Sequence, residues 1–234
     1  MSLGMKPRPG RTEGLWRKFR DFFSAGSGRS FDLLLDKLLV RAGWVPEMMD
    51  GSGRILHISD TPTCMYGYLA RLLRRVNPSV VVHTGDLADD IKLEIYPGEA
   101  ERYRAAARRI MDILLAPRRK IIISLGNHDK RALLPSLPSQ CVICDNDDVM
   151  DITLYGEKFR VSHYFESILG KPARYNLFGH SMETPSFSDG EERCFFNGLE
   201  KMRLIGPKDA GITIFSYPKS ANDARLARRN RKGP

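Results

Sequence analysis

Three short apolar runs constrain this chain more than any other feature. Arg54-Ile55-Leu56-His57-Ile58, Val80-Val81-Val82-His83 and Lys120-Ile121-Ile122-Ile123-Ser124 are rich in β-branched residues and almost continuously apolar. A strand with one wet face alternates apolar with polar. A strand that does not alternate must be buried on both faces. Between the first two runs, Leu69, Leu72, Leu73 and Val76 share one face of a predicted helix over about 67–76. A longer helix is predicted over about 98–115, before the third run. Strand, helix, strand, helix, strand is the pattern of parallel strands joined by helical crossovers.

The second half reads differently. Val149–Leu154 and Lys158–His163 flank Tyr155-Gly156-Glu157, which predicts a hairpin. Arg174–Phe178, Cys194–Phe196 and Ile212–Phe215 are further strand candidates. Crossovers followed by hairpins imply a mixed sheet or two packed sheets.

Polar residues recur where the runs stop. Asp60, Asp86, Asn127, His163 and His180 each lie at or just beyond a predicted strand's C-terminal end. In open α/β folds that edge is where ligands bind. Carboxylate and amide oxygens mixed with imidazole suit a divalent transition ion such as manganese, iron, zinc or nickel. Gly85, Gly126 and Gly179 precede three of these residues and allow a sharp turn with close backbone approach. His128 follows Asn127 directly and is expected to face a substrate, with Asp129 orienting it. His57 and His83, inside the runs, are expected to be core or supporting histidines.

The ordered set Ser59-Asp60-Thr61, Gly85-Asp86, Gly126-Asn127-His128-Asp129, Ser162-His163 and Gly179-His180 resembles the calcineurin-like metallophosphoesterases. The resemblance covers about residues 54–200. It implies an α/β fold, a four-layer α/β/β/α sandwich of two mixed sheets flanked by helices. It also implies a two-metal phosphoester hydrolase site in which an activated water attacks phosphorus. Carried over residue by residue, Asp86, Asn127, His163 and His180 would ligate one ion. Asp60, with Asp86 bridging, would serve the other. His128 would support the leaving group, oriented by Asp129.

This sequence departs from the family pattern in two places. Asp60-Thr61-Pro62 has proline where the family has the histidine of Asp-x-His. Gly179-His180-Ser181-Met182 has methionine where the family has the second histidine of Gly-His-x-His. Methionine is a poor ligand for a hard or borderline cation. The readings are a one-ion enzyme, a two-ion enzyme using Asp89, Asp90, Glu183 or Asp189 as substitutes, and a weak relative that binds phosphate or acts as a scaffold. The phosphoesterase reading ranks first, on a phosphomonoester or phosphodiester substrate.

Composition bounds the setting. The formal charge of +9 belongs to the ends: residues 1–30 and 217–234 each carry +5, and the 186 between them sum to −1. The expected organisation is a basic helical arm over 1–53, with Phe31, Leu34, Leu35, Leu38 and Leu39 at helical spacing, the phosphoesterase-like domain over 54–216, and an Arg-rich tail over 217–234. Nucleic-acid binding through the ends is possible but not the favoured reading. No apolar run approaches the roughly 20 residues that span a bilayer, and the expected location is cytoplasmic, with reduced thiols. Cys141-x-x-Cys144 lacks a second pair at zinc-ribbon spacing and precedes Asp145, so these are expected to be loop cysteines without chemistry.

Overall fold

The computed structural model describes residues 50–116, 119–207 and 211–226. The expected N-terminal arm and the Arg-rich segment after residue 226 lie outside the described residues. The first strands form as read: β1 (Ile55–Ile58), β2 (Val80–His83) and β3 (Lys120–Ser124), pairing in parallel in the order β1-β2-β3. Helix α1 (Tyr66–Val76) crosses from β1 to β2, and α2 (Ala100–Leu115) from β2 to β3.

The absence of alternation in these runs has the expected cause. Val81, Ile121 and Ile123 point into one core with Leu69, Leu72 and Ile110 of the helices, while Val80, Val82 and Ile122 point into a second. That second core is filled from the other side by Phe159, Val161 and Leu177. These belong to β6 (Glu157–Val161) and β7 (Tyr175–Phe178), in a second sheet of order β5-β6-β7-β9-β8. There β5 is Met150–Leu154, β8 is Phe187–Ser188 and β9 is Cys194–Asn197. The hairpin between β5 and β6 turns on Tyr155 (φ 51°) and Gly156 (φ 81°), the two left-handed residues of a tight turn matched to strand twist.

The architecture is therefore two mixed sheets packed face to face with flanking helices. The outer helix layer on the second sheet is thin. Among the described residues it is the single turn α3 (Glu166–Leu169), whose Ile168 packs on Phe178 and Phe195. No helix among the described residues is long and apolar enough to cross a membrane.

Two strands differ from expectation. Cys141–Cys144 is not a loop but β4, the parallel edge strand beside β3. Its charged surroundings hid a four-residue run. Burial pushes the Cys141 thiol up to about 11, and burial, with Asp148 and Asp145, also raises Cys144. The sequence reading also omitted β10 (Met202–Ile205), which pairs in the first sheet between β1 and the edge strand β11 (Ile212–Phe215). Arg203 interrupts its apolar pattern. That guanidinium is buried, donating to the Asn197 carbonyl at 2.8 Å and lying 5.0 Å over the Phe196 ring.

The packed unit also continues past residue 216. Tyr217 is buried, its hydroxyl donating to the Gly198 carbonyl at 2.6 Å. Helix α4 (Lys219–Leu226) follows, with Ala221 in the core and Arg225 buried. Arg225, expected in the solvated tail, instead donates from Nε to the Asp60 carbonyl at 2.6 Å and stacks 4.2 Å over Tyr217.

Candidate metal centre

The C-terminal ends of β1, β2 and β3 lie side by side, and those of β6 and β7 face them. The crossover loops are sewn together by main chain. Asp60 N–H donates to the Gly85 carbonyl and Thr61 N–H to the Asp86 carbonyl, both at 2.9 Å. Across the other sheet, Gly179 N–H donates to the His163 carbonyl at 3.0 Å. Three of the residues picked out at strand ends hold left-handed backbone: Asp60 (φ 47°), Asp86 (φ 55°) and His180 (φ 59°). Such backbone costs a non-glycine residue of order 1–3 kcal/mol and clusters at functional sites. Here it turns each side chain back over the strand ends.

Two glycines are required by close approach. A Cβ at Gly126 would strike the carboxylate and backbone nitrogen of Asp86. At Gly85, φ is 97° and a Cβ would strike the His163 ring. Both loops are therefore packed against the ligand side chains themselves.

The donor atoms fall into two groups that share Asp86. Ligand atoms of Asp86, His163 and His180 all lie within 4.8 Å of one another, as do those of Asp60, Asp86 and Asp89. His163 shows why the first group suits a cation. Its Nδ1–H donates to the Thr84 carbonyl at 2.7 Å, which leaves the lone pair of the neutral ring on Nε2. That nitrogen faces Asn127 Oδ1 at 3.1 Å and Asp86 Oδ2 at 3.9 Å. The Asn127 amide is turned so by Glu94, whose carboxylate accepts from Nδ2. A ring nitrogen, an amide oxygen and a carboxyl oxygen thus converge. This donor set fits a divalent ion.

The second group departs from the family pattern as its motifs do. Pro62 opens a 3-10 turn and its carbonyl accepts from Met65 N–H at 2.9 Å, so it is occupied locally. Met182 is exposed on the cleft wall. Of the four substitutes considered, Asp89 joins Asp60 and Asp86, and Glu183 lines the cleft. Asp90 is turned away, accepting from Thr63 N–H and Oγ1 at 2.7 Å each. Asp189 pairs with Arg193. The Lys92 ammonium pairs with Asp89.

The electrostatics of the cluster favour a cation. Burial, then the carboxylates of Asp60, Asp129 and Asp89, push the Asp86 carboxyl well above its usual range. Burial and Asp60 raise Asp89, against the pull of Lys92. Stacked buried carboxylates are costly unless neutralised by protons or a cation.

His128 stands over the centre without joining either group. Its backbone N–H donates to Asp86 Oδ1 at 3.1 Å, and its ring Nδ1 lies 3.8 Å from the Glu94 carboxylate. Burial, then the Lys92 ammonium, lower its ring to about 4. Asp129 does not orient it. The turn at Gly126 closes through Asp129 N–H to the Gly126 carbonyl at 3.0 Å and carries the carboxylate inward. There Oδ2 accepts from Asp86 N–H (2.8 Å) and Gly126 N–H (2.9 Å), and Oδ1 from Leu87 N–H (3.0 Å) and Tyr103 O–H (2.8 Å). Asp129 ties the β2 and β3 loops to α2.

His57 and His83 are buried supporting residues, as expected, bonded to Thr84 Oγ1 and Thr61 Oγ1 at 3.0 Å each. Glu94 and Lys92 escaped the sequence reading, and Arg225 was expected only in the tail. They are loop and helix residues with no periodic or motif signal. The centre opens into a cleft of about 860 Å³ that they also line.

The profile of the family described as calcineurin-like phosphoesterase matches residues 53–224. Among solved structures, Yfce, a phosphoesterase from E. coli, is similar at 18% identity and a TM-score of 0.45, covering 70% of this chain and 98% of that one. A search of curated proteins gives no match.

Proposed function

The chain belongs to the calcineurin-like phosphoesterase family, and from that premise we propose that it hydrolyses a phosphomonoester or phosphodiester with the help of one or two divalent transition ions. Asp86, Asn127, His163 and His180 would hold one ion. Asp60 and Asp89 would extend the set towards a second, in place of the imidazoles missing at Pro62 and Met182. When bound, such an ion stabilises charge on the phosphoryl oxygens and makes water nucleophilic near neutral pH.

The chain's own residues do the rest. Thr84 fixes the His163 tautomer and Glu94 fixes the Asn127 amide, so two ligand atoms face inward before any ion arrives. His128, neutral at pH 7 with its ring lowered to about 4, would offer an N–H to charge developing on a phosphoryl or leaving-group oxygen. Four cysteines without a disulfide between them suit a reducing cytoplasm.

One observation carries this reading: the convergence of His163 Nε2 on Asn127 Oδ1 at 3.1 Å and on Asp86 Oδ2 at 3.9 Å. The test is metal content. Protein reconstituted with manganese, zinc, nickel or iron should retain at least one ion per chain by elemental analysis. Asp86→Asn should lose it, and the retained ion should be required for turnover of an aryl phosphate ester. Wild-type protein that retains none of the four ions would refute the proposal.

A further inference from the structure

The carboxylate cluster of the centre already holds a cation that belongs to the chain. Asp60, Asp86 and Asp89 are each buried, and their ligand atoms lie within 4.8 Å of one another. Lys92 reaches this cluster and pairs with Asp89 through its ammonium. It is not a loose surface lysine, because its side chain is only 18% exposed. Its backbone is held on both sides. Ile91 N–H donates to the Ala88 carbonyl at 2.7 Å, and the Lys92 carbonyl accepts from Ile95 N–H at 3.0 Å and Tyr96 N–H at 2.7 Å. Leu87, Ile91 and Leu93 of the same segment are buried in the core. Core packing therefore delivers the ammonium to the carboxylates.

The same cluster is poor in what a second transition ion takes. The chain has five histidines, and all five are placed elsewhere. His163 and His180 stand with Asp86 in the other group. His57 and His83 bond threonine hydroxyls, and His128 donates its backbone N–H to Asp86 from above. Asp60 Oδ2 already accepts from Ser59 Oγ at 2.5 Å and from His180 N–H at 3.2 Å.

We propose that the Lys92 ammonium takes the place of a second divalent ion, so that the centre holds one ion, on Asp86, Asn127, His163 and His180. This rests on the metal-dependent hydrolase reading and narrows its one or two ions to one. One divalent ion and one ammonium match the charge of three ionised carboxylates. A second divalent ion would have to share Asp89 with the ammonium and be repelled by it. The two kinds of cation are not equivalent. An ammonium can face a phosphoryl oxygen as a point charge, but it does not make water nucleophilic as a metal ion does.

Manganese is the probe, because it accepts carboxylate-rich sites and so gives a second ion its best chance. Equilibrium dialysis of the full chain should find one manganese per chain. Electron paramagnetic resonance should show the hyperfine-split signal of isolated ions. Lys92→Met should take up a second ion at least about tenfold more tightly than wild type does, with the broadened signal of a coupled pair. Adding Asp89→Asn to that variant should return the count to one. Lys92→Gln repeats the measurement if the methionine variant does not fold. Wild type holding a coupled pair would overturn the inference and leave the hydrolase reading standing. A folded Lys92 variant still limited to one ion would overturn it too, as would a double variant that keeps two. Wild type that retains no ion would overturn the hydrolase reading itself, and this inference with it.

Discussion

Asp129→Asn separates two roles for one carboxylate. In the structure its two oxygens accept from three backbone N–H groups and one phenol, at 2.8 to 3.0 Å. An asparagine can keep its oxygen at the Oδ2 position and so retain Asp86 N–H and Gly126 N–H. Its NH2 then faces Tyr103, whose hydroxyl can rotate to accept, and Leu87 N–H, which cannot. One buried backbone donor is left facing another donor, at about 1–3 kcal/mol. The three surviving bonds lose their charge assistance, about 0.5 kcal/mol each. Removing one of the crowded buried carboxylates returns part of this. The net expectation is about 2–4 kcal/mol out of a typical 5–15, or a fall in Tm of roughly 5–12 °C at this chain length. Guanidinium melts in a chelating buffer measure it without linkage to bound metal. A variant within about 0.5 kcal/mol of wild type would refute the tie between loops. If turnover fell at the same time, the carboxylate would act on His128 after all.

Two further outcomes follow from buried groups near the centre. His83 accepts from Gly85 N–H at Nδ1 (3.2 Å) and contacts Thr61 Oγ1 at Nε2 (3.0 Å), an arrangement made for the neutral ring, and burial first of all lowers it to about 3. Between pH 6.5 and that value the unfolded chain binds a proton that the folded chain refuses, so acidification destabilises by about 1.4 kcal/mol per unit. Urea melts at pH 6.5 and 5 should therefore show wild type losing about 2 kcal/mol more than His83→Gln, and equal losses would mean that His83 titrates normally. Gly126→Ala should lower metal affinity at least about tenfold, because its Cβ displaces the Asp86 carboxylate. Gly98→Ala, where the added atom meets open space, is the control, and calorimetric titration with zinc giving equal affinities for the two variants would contradict the packing argument.

What the sequence carried of the fold was the part with a period. Val80–His83 and Lys120–Ser124 were legible because burial on both faces leaves no polar alternation to confuse with a helix or loop. The helices between them were legible from one-faced leucines. Met202–Ile205 was not, although it is an interior strand paired on both sides. Its Arg203 is solvated by carbonyls, a serine hydroxyl and an aromatic face instead of water. Such compensation comes from residues distant in the chain, so no local pattern announces it. Cys141–Cys144 failed for a simpler reason: an edge strand of four half-exposed residues has little burial to advertise.

The site divides along a similar line. Asp60, Asp86, Asn127, His163 and His180 were legible because each follows a strand, and strand ends of parallel sheets gather at one edge. Position was therefore readable, but direction was not. In a turn, side-chain direction depends on individual φ values, and three of these residues sit in left-handed backbone that a sequence does not declare. Adjacent residues then point oppositely: His128 towards the cleft and Asp129 into the loops beneath it. The same limit explains Asp89 and Asp90, two identical neighbours of which one faces the carboxylate cluster and the other caps Thr63. Lys92 follows from that difference. Three residues past Asp89, it is brought back by the tight turns at Ile91 and Leu93, whose N–H groups bond Ala88 and Ile91 carbonyls at 2.7 and 3.1 Å. Its ammonium meets the Asp89 carboxylate, so the buried cluster of Asp60, Asp86 and Asp89 carries one cation of its own.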